Sequence, residues 1–319
     1  MGAFAFIFPG QGAQSVGMGK ALADAFPASK AVFDEVDEAL GERFSDIIWN
    51  GPEDALTLTA NTQPALMAVS VAAMRALETE FGLAPDRAKF LAGHSLGEYS
   101  ALASAGAIGL SDAARLLRLR GEAMQDAVAP GEGAMAALLG ADVATAEAAA
   151  EAGRVHGPCD LANDNAPGQI VLSGAKAAVE AAAEAAKAAG AKKAVLLAVS
   201  APFHCALMKP AQDRMAEALA DTVINAPAAP IVANVTAAPT SDPTEIRDQL
   251  VEQVTGRVRW RESVEWMASP AGGVTLFAEA GAGKVLTVMN RRTAKEVEGV
   301  TLNTPEDLEA FAKRLEDDA

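Results

Sequence analysis

Hydrophobic positions along the chain fall into short solid runs separated by longer stretches with helical spacing. The first run, Met1-Gly2-Ala3-Phe4-Ala5-Phe6-Ile7-Phe8, is apolar without alternation and stops at Pro9-Gly10. A continuous apolar run closed by turn residues predicts a strand buried on both faces. A glycine-rich loop follows from Pro9 to Gln14, and a helix is expected to begin near Gly17. Helical spacing then covers 28–40 and 64–81. The run Lys89-Phe90-Leu91-Ala92 predicts a second buried strand, followed by helices over 97–106 and 111–126. Strand alternating with helix implies a parallel sheet with covered faces.

From about residue 130 the pattern changes. Residues 134–139 read as a strand and 142–152 as an alanine-rich helix. Two short strands flank Asn165-Ala166-Pro167-Gly168, a second alanine-rich helix covers 175–189, and a last strand covers 194–199. That βαββαβ order is the ferredoxin-like arrangement. A compact insert is therefore expected at 128–200, interrupting a core made of 1–127 and 201–319. The core sheet is expected to resume with strands at 231–235 and 274–278.

Composition narrows the class. With 319 residues, half of them hydrophobic and 21% charged, the chain can bury a large globular core. The net charge of −16 argues against nonspecific nucleic-acid binding, so an acidic ligand would need a local basic site. Two cysteines, Cys159 and Cys205, make neither a disulfide framework nor a metal cluster, which suits a reducing, cytoplasmic setting. The N-terminal run is too short to span a membrane and lacks the basic flank of a signal peptide; Phe6 breaks a myristoylation pattern. No membrane partner is expected.

The main candidate chemistry is Gly93-His94-Ser95-Leu96-Gly97. Strand, tight turn and helix around a Gly-x-Ser-x-Gly sequence is the setting of a nucleophile elbow. The glycines relieve crowding at a strained turn, and the helix start presents amide N–H groups to a developing oxyanion. Ser95 is thus a candidate acyl-accepting nucleophile; the alternative is an ordinary glycine-rich turn. A serine needs a base, and there are three histidines. His94 is adjacent and its side chain should diverge, His156 sits in a polar loop of the insert, and His204 lies where the chain re-enters the core. His204 is the best candidate. Two glycine-rich stretches are decoys. Residues 10–15 lack the third glycine of a dinucleotide fingerprint, and 281–285 lack the leading glycine and the Ser/Thr of a P-loop. No metal-ligand spacing is present, and no cofactor is expected. In the run Arg115 to Arg120, Arg120 lies about 160° around the helix from Arg118, so one arginine can face inward while the others stay solvated.

Phe8-Pro9-Gly10-Gln11-Gly12, Gly93 to Glu98, Arg120-Gly121, Asn163 to Gln169, Pro202-Phe203-His204 and Glu279-Ala280-Gly281 occur together in this order. The set resembles the malonyl-CoA:acyl-carrier-protein transacylases of type II fatty-acid synthesis over nearly the whole chain. The resemblance implies an α/β-hydrolase-like core with a ferredoxin-like insert. It implies malonyl-CoA and acyl carrier protein as partners, Ser95 as the acylated nucleophile and His204 as its base. It also implies an oxyanion hole from the backbone N–H groups of Gln11 and Leu96, and Arg120 as the clamp on the malonyl carboxylate. Gln253 matches the residue whose backbone carbonyl orients the histidine; the alternative is an exposed helix position. Asn163 and Asn165 either line the cleft or make turns. In related polyketide-synthase acyltransferases, a phenylalanine at the position of Phe203 goes with malonyl over branched units. Ala282 departs from a Gly-Pro-Gly common in relatives, a change in loop stiffness more than in chemistry. Carrier proteins of this kind are acidic, so Lys192, Lys193, Lys209, Arg291 and Arg292 are candidates for a docking surface. Two rival readings remain at this point, an esterase or thioesterase on the same core and a binding module that kept the fold without catalysis.

Overall fold

In the computed structural model, which describes residues 2–317, the chain builds two sheets. Met1, expected at the head of the first strand, lies outside the described residues, as do 318–319. The strands are β1 (Ala3–Phe8), β2 (Phe90–Gly93), β3 (Gly133–Leu139), β4 (Cys159–Ala166), β5 (Gln169–Ala175), β6 (Lys193–Leu196), β7 (Ile231–Val232), β8 (Pro239–Thr240), β9 (Val274–Ala280) and β10 (Glu298–Leu302). The larger sheet has the order β10-β9-β1-β2-β7-β8 and is parallel except for the β7–β8 pair. Phe4 to Phe8 are all buried, as a central parallel strand covered by helices on both faces requires. The 23-residue helix Thr59–Phe81 supplies much of that cover. It starts five residues before the expected Pro64, which it carries inside.

Register places the chemistry. Ile7 pairs with Ala92 and Phe8 with Gly93, so both central strands end at the same level. The loops leaving them, Pro9 to Gln14 and His94-Ser95, emerge side by side at the carboxyl end of the parallel sheet, where α/β folds bind their ligands.

The smaller sheet is antiparallel with the order β4-β5-β3-β6, the ferredoxin-like order expected from the sequence. Helices Val143–Gly153 and Lys176–Ala188 cover one face through small side chains such as Ala146, Ala150, Ala178 and Ala182. A Cβ on Gly153 would sit 2.4 Å from the Ala178 carbonyl oxygen, so the alanine-rich surfaces meet backbone to backbone. The other face carries Met135, Ala162 and Val171 and packs toward Val199 and Phe203.

Three further elements differ from the sequence reading. The first helix starts at Lys20 rather than Gly17, because Gly17 and Gly19 take positive φ values of 93° and 73°. The strand expected over 194–199 is confined to Lys193–Leu196, with one further bond to β3 from Leu197 N–H to the Met135 carbonyl at 2.9 Å. The strand expected over 231–235 stops at Val232, because residues 233–237 turn back to lay β8 against β7.

Candidate active site

Ser95 sits between β2 and the helix Leu96–Ser104, with φ 53° and ψ −112°. Two residues to either side of it, only glycine fits. A Cβ on Gly93 would lie 1.9 Å from the Gly97 carbonyl, and one on Gly97 would lie 2.3 Å from the Phe8 carbonyl oxygen. The spacing of the pentapeptide therefore reflects two close backbone approaches, one within the elbow and one between the elbow and β1.

The Ser95 hydroxyl donates to His204 Nε2 at 2.8 Å. His204 Nδ1 meets the Gln253 backbone carbonyl at 2.9 Å. A carbonyl only accepts, so Nδ1 carries the ring proton and Nε2 presents its lone pair to the serine. Burial, then the charge of Arg120, pushes the imidazole down from 6.5 to about 3, against the opposing pull of the Gln253 carbonyl. His204 itself has φ 58°, a second strained residue at the site. The same segment is tied to the insert where Ala206 N–H donates to Asp160.

Arg120 comes from the helix Leu110–Asp126 and is 1% exposed. It donates to Gln63 Oε1 at 2.8 Å, to Gln253 Oε1 at 2.9 Å and to Ser95 Oγ at 3.1 Å. Its guanidinium lies 5.7 Å from the Tyr99 ring centre. Among the described residues no carboxylate lies within ion-pair distance of it; Glu98 is linked to it only through the Gln253 amide.

Leu96 is the first residue of its helix, so its N–H has no intrahelical acceptor. Gly10 is pressed against the elbow, with a Cβ there falling 2.8 Å from the His94 carbonyl oxygen, and this holds Gln11 at the cleft. Asn163 and Phe203 line the same cleft, a cavity of about 150 Å³, from the insert and from the return segment. His94 also lines the cleft, with its Nε2 2.8 Å from Asn165 Oδ1, and it is His204 that reaches the Ser95 hydroxyl. His156 lies in a turn of the insert outside the cleft. Gln253 is fully buried, so the exposed-position alternative does not hold.

The Acyl transferase domain model matches residues 5–305. The chain belongs to the acyl transferase domain family. A malonyl CoA-acyl carrier protein transacylase of Escherichia coli K12 is 47% identical over 98% of this chain and 99% of its own. Among solved structures, the acyl-carrier-protein-S-malonyltransferase of Bartonella henselae is 55% identical, covers 99% of this chain and 100% of its own, and superposes with a TM-score of 0.95. A malonyl-transacylase solved in complex with a type II polyketide-synthase acyl-carrier protein is 42% identical with a TM-score of 0.93, covering 98% of this chain and 99% of its own.

Within this acyl transferase domain, three buried polar residues escaped the sequence reading. Gln63 holds Arg120, Asn234 holds the elbow, and Glu98 accepts from Asn234 N–H at 2.9 Å and Gln253 Nε2 at 3.0 Å. Burial pushes the Glu98 carboxyl up to about 7, despite those donors and Arg120. Gln63 follows Asn61 and Thr62, and Glu98 sits beside Tyr99 and Ser100, so neither stood out as an isolated polar position.

Proposed function

We propose that this chain transfers a malonyl group from malonyl-CoA to the pantetheine thiol of acyl carrier protein in fatty-acid biosynthesis, through an ester on Ser95. The observation that carries this reading is the placement of Ser95 Oγ between His204 Nε2 and the unpaired guanidinium of Arg120. A base makes the hydroxyl a nucleophile, and a buried cation selects an acyl group that carries its own carboxylate.

Ser95 Oγ attacks the thioester carbonyl while His204 Nε2 takes its proton. The new oxyanion lies against the N–H groups of Gln11 and Leu96; one such donor is worth about 10²–10³-fold in rate. The carbon–sulfur bond breaks, and CoA leaves as a thiol with the proton from His204. The carrier's thiol then gives its proton to His204 and attacks the ester carbonyl, and Ser95 takes the proton back as it departs. General base assistance is worth about 10²–10⁴-fold in each half. Gln63 takes one Nη1 donor and Gln253 one Nη2 donor, which fixes the guanidinium plane; the Nη2 donor now on Ser95 Oγ is released as Ser95 reacts and, with the remaining Nη1 donor, can grip the malonyl carboxylate. Phe203 and Asn163 wall the acyl end of the cleft.

The same reading divides the chain into a core of 1–127 and 201–319 and an insert of 128–200, supported by the insert's separate apolar cluster. Lys192, Lys193, Arg291 and Arg292 are exposed and remain the docking candidates, whereas Lys209 is paired with Asp213 at 2.5 Å. The setting is cytoplasmic, supported by two buried free thiols. Among the described residues no helix is long and apolar enough to cross a membrane. The test is direct transfer: purified protein, malonyl-CoA and holo acyl carrier protein should yield malonyl-carrier by mass spectrometry. Release of free malonate alone would instead identify a thioesterase.

A further inference from the structure

Ser95 occupies a backbone conformation that side-chain-bearing residues avoid, and the surroundings must hold it there. One group that does so is the Asn234 side chain. Its Oδ1 accepts the Ser95 N–H at 2.7 Å, and its Nδ2 donates to the Gly93 carbonyl at 2.7 Å. The partners fix the amide's orientation, since an N–H needs an acceptor and a carbonyl needs a donor. Asn234 is itself immobilised. It is fully buried, its N–H donates to Glu98 Oε2 at 2.9 Å, and its carbonyl accepts from Arg259 N–H at 3.0 Å.

We infer that Asn234 is a positioning residue that clamps both ends of the nucleophile turn and so sets where Ser95 Oγ meets His204 and the substrate carbonyl. The inference rests on Ser95 being the acylated nucleophile. Asn234 differs from Gln253, which touches Ser95, Arg120 and the bond to His204 at once. The Asn234 side chain bonds to the elbow backbone and, at 3.3 Å, to Gln253 Nε2. Its loss should therefore slow the serine without changing carboxylate recognition or the protonation of His204. Only an amide, or a protonated carboxyl, supplies one donor and one acceptor in this geometry. A carboxylate would turn a second acceptor toward Gly93 O.

The experiment measures Ser95 labelling by a sulfonyl fluoride, which needs no acyl substrate, alongside malonyl-transfer kinetics, in wild type, Asn234→Ala and Asn234→Asp. Asn234→Ala should be labelled about 10- to 100-fold more slowly, with kcat falling in parallel and the KM for malonyl-CoA within about twofold. Asn234→Asp should be slow near pH 8, and its rate relative to wild type should rise as its carboxyl protonates toward about pH 5.5. The charged groups around that position are Glu98 from Leu96–Ser104, Arg120 from Leu110–Asp126 acting through Gln253, and Arg259 ahead of Trp260–Ala268. Glu98 lies beside position 234, so in Asn234→Asp the two carboxyls titrate as a coupled pair, and the ratio reads that pair. Labelling of Asn234→Ala within about threefold of wild type would overturn the inference. So would a flat ratio for Asn234→Asp, a wild type not labelled at Ser95, or a loss of circular-dichroism signal in both variants that matches the loss of labelling. A wild type labelled at Ser95 that moves no malonyl contradicts the proposed activity instead, and Asn234 is then judged by labelling alone.

Discussion

The buried guanidinium of Arg120 donates to the Ser95 hydroxyl at 3.1 Å, so the proposed nucleophile touches a buried cation. Among the described residues, the other hydrogen-bond acceptors of Arg120 are the neutral amide oxygens of Gln63 and Gln253. A buried positive charge without an anion is costly, and a malonyl carboxylate would relieve that cost in a way an acetyl group cannot.

Arg120→Ala should therefore lose malonyl transfer by about 3–5 kcal/mol, roughly two to three and a half orders of magnitude in rate. Acetyl-CoA should become the relatively better donor. Arg120→Lys should rescue poorly, because an ammonium lacks the two-pronged geometry. The check is the ratio of kcat/KM for malonyl-CoA and acetyl-CoA in each variant. An unchanged ratio in Arg120→Ala would assign the carboxylate to another residue.

The pH profile follows from His204. Acylation needs the neutral imidazole, and burial with Arg120 holds its pKa at about 3 rather than 6.5. A lowered pKa keeps the base free at lower pH, so kcat/KM should stay level from about pH 8 down to about pH 5 and fall only below that. An acid limb centred near 6.5 would mean that the working imidazole is solvated.

Glu98 makes a stability prediction of the opposite kind. Its folded pKa is raised to about 7 from 4.5. Between those values the folded chain holds a proton that the unfolded chain releases, so this group's contribution to stability declines as pH rises through the window. The full change is about 3 kcal/mol. Glu98→Gln removes this titration. Its stability relative to wild type should therefore increase between about pH 5 and pH 8 in denaturant melts. A pH-independent difference would place the Glu98 carboxyl at its ordinary pKa.

Much of this site was legible because it is encoded locally. The solid apolar run of β1, the glycines around Ser95 and the alternation of strand and alanine-rich helix in the insert are patterns of spacing. The Phe8–Gly93 pairing then brings two such local features together. Asn234 was not legible. A strand expected through Val235 gave it no special role, and only the turn at 233–237 carries its amide under the elbow. Gln63 lies just ahead of the expected helix 64–81, beside Asn61 and Thr62, and its partner lies 57 residues away. The C-terminal elements were also unread. The helix Val285–Asn290 is six residues long, and β10 is a half-buried edge strand with Gly299 and Thr301 in place of a solid apolar run.

The central claim is a covalent malonyl ester on Ser95, and the most direct measurement is intact-protein mass after brief exposure to malonyl-CoA without carrier protein. Wild type should gain one malonyl group, located at Ser95 by peptide mapping and removed when holo acyl carrier protein is added, while Ser95→Ala should gain none. A full adduct on Ser95→Ala, or a wild type that transfers malonyl with no adduct on Ser95, would contradict the account.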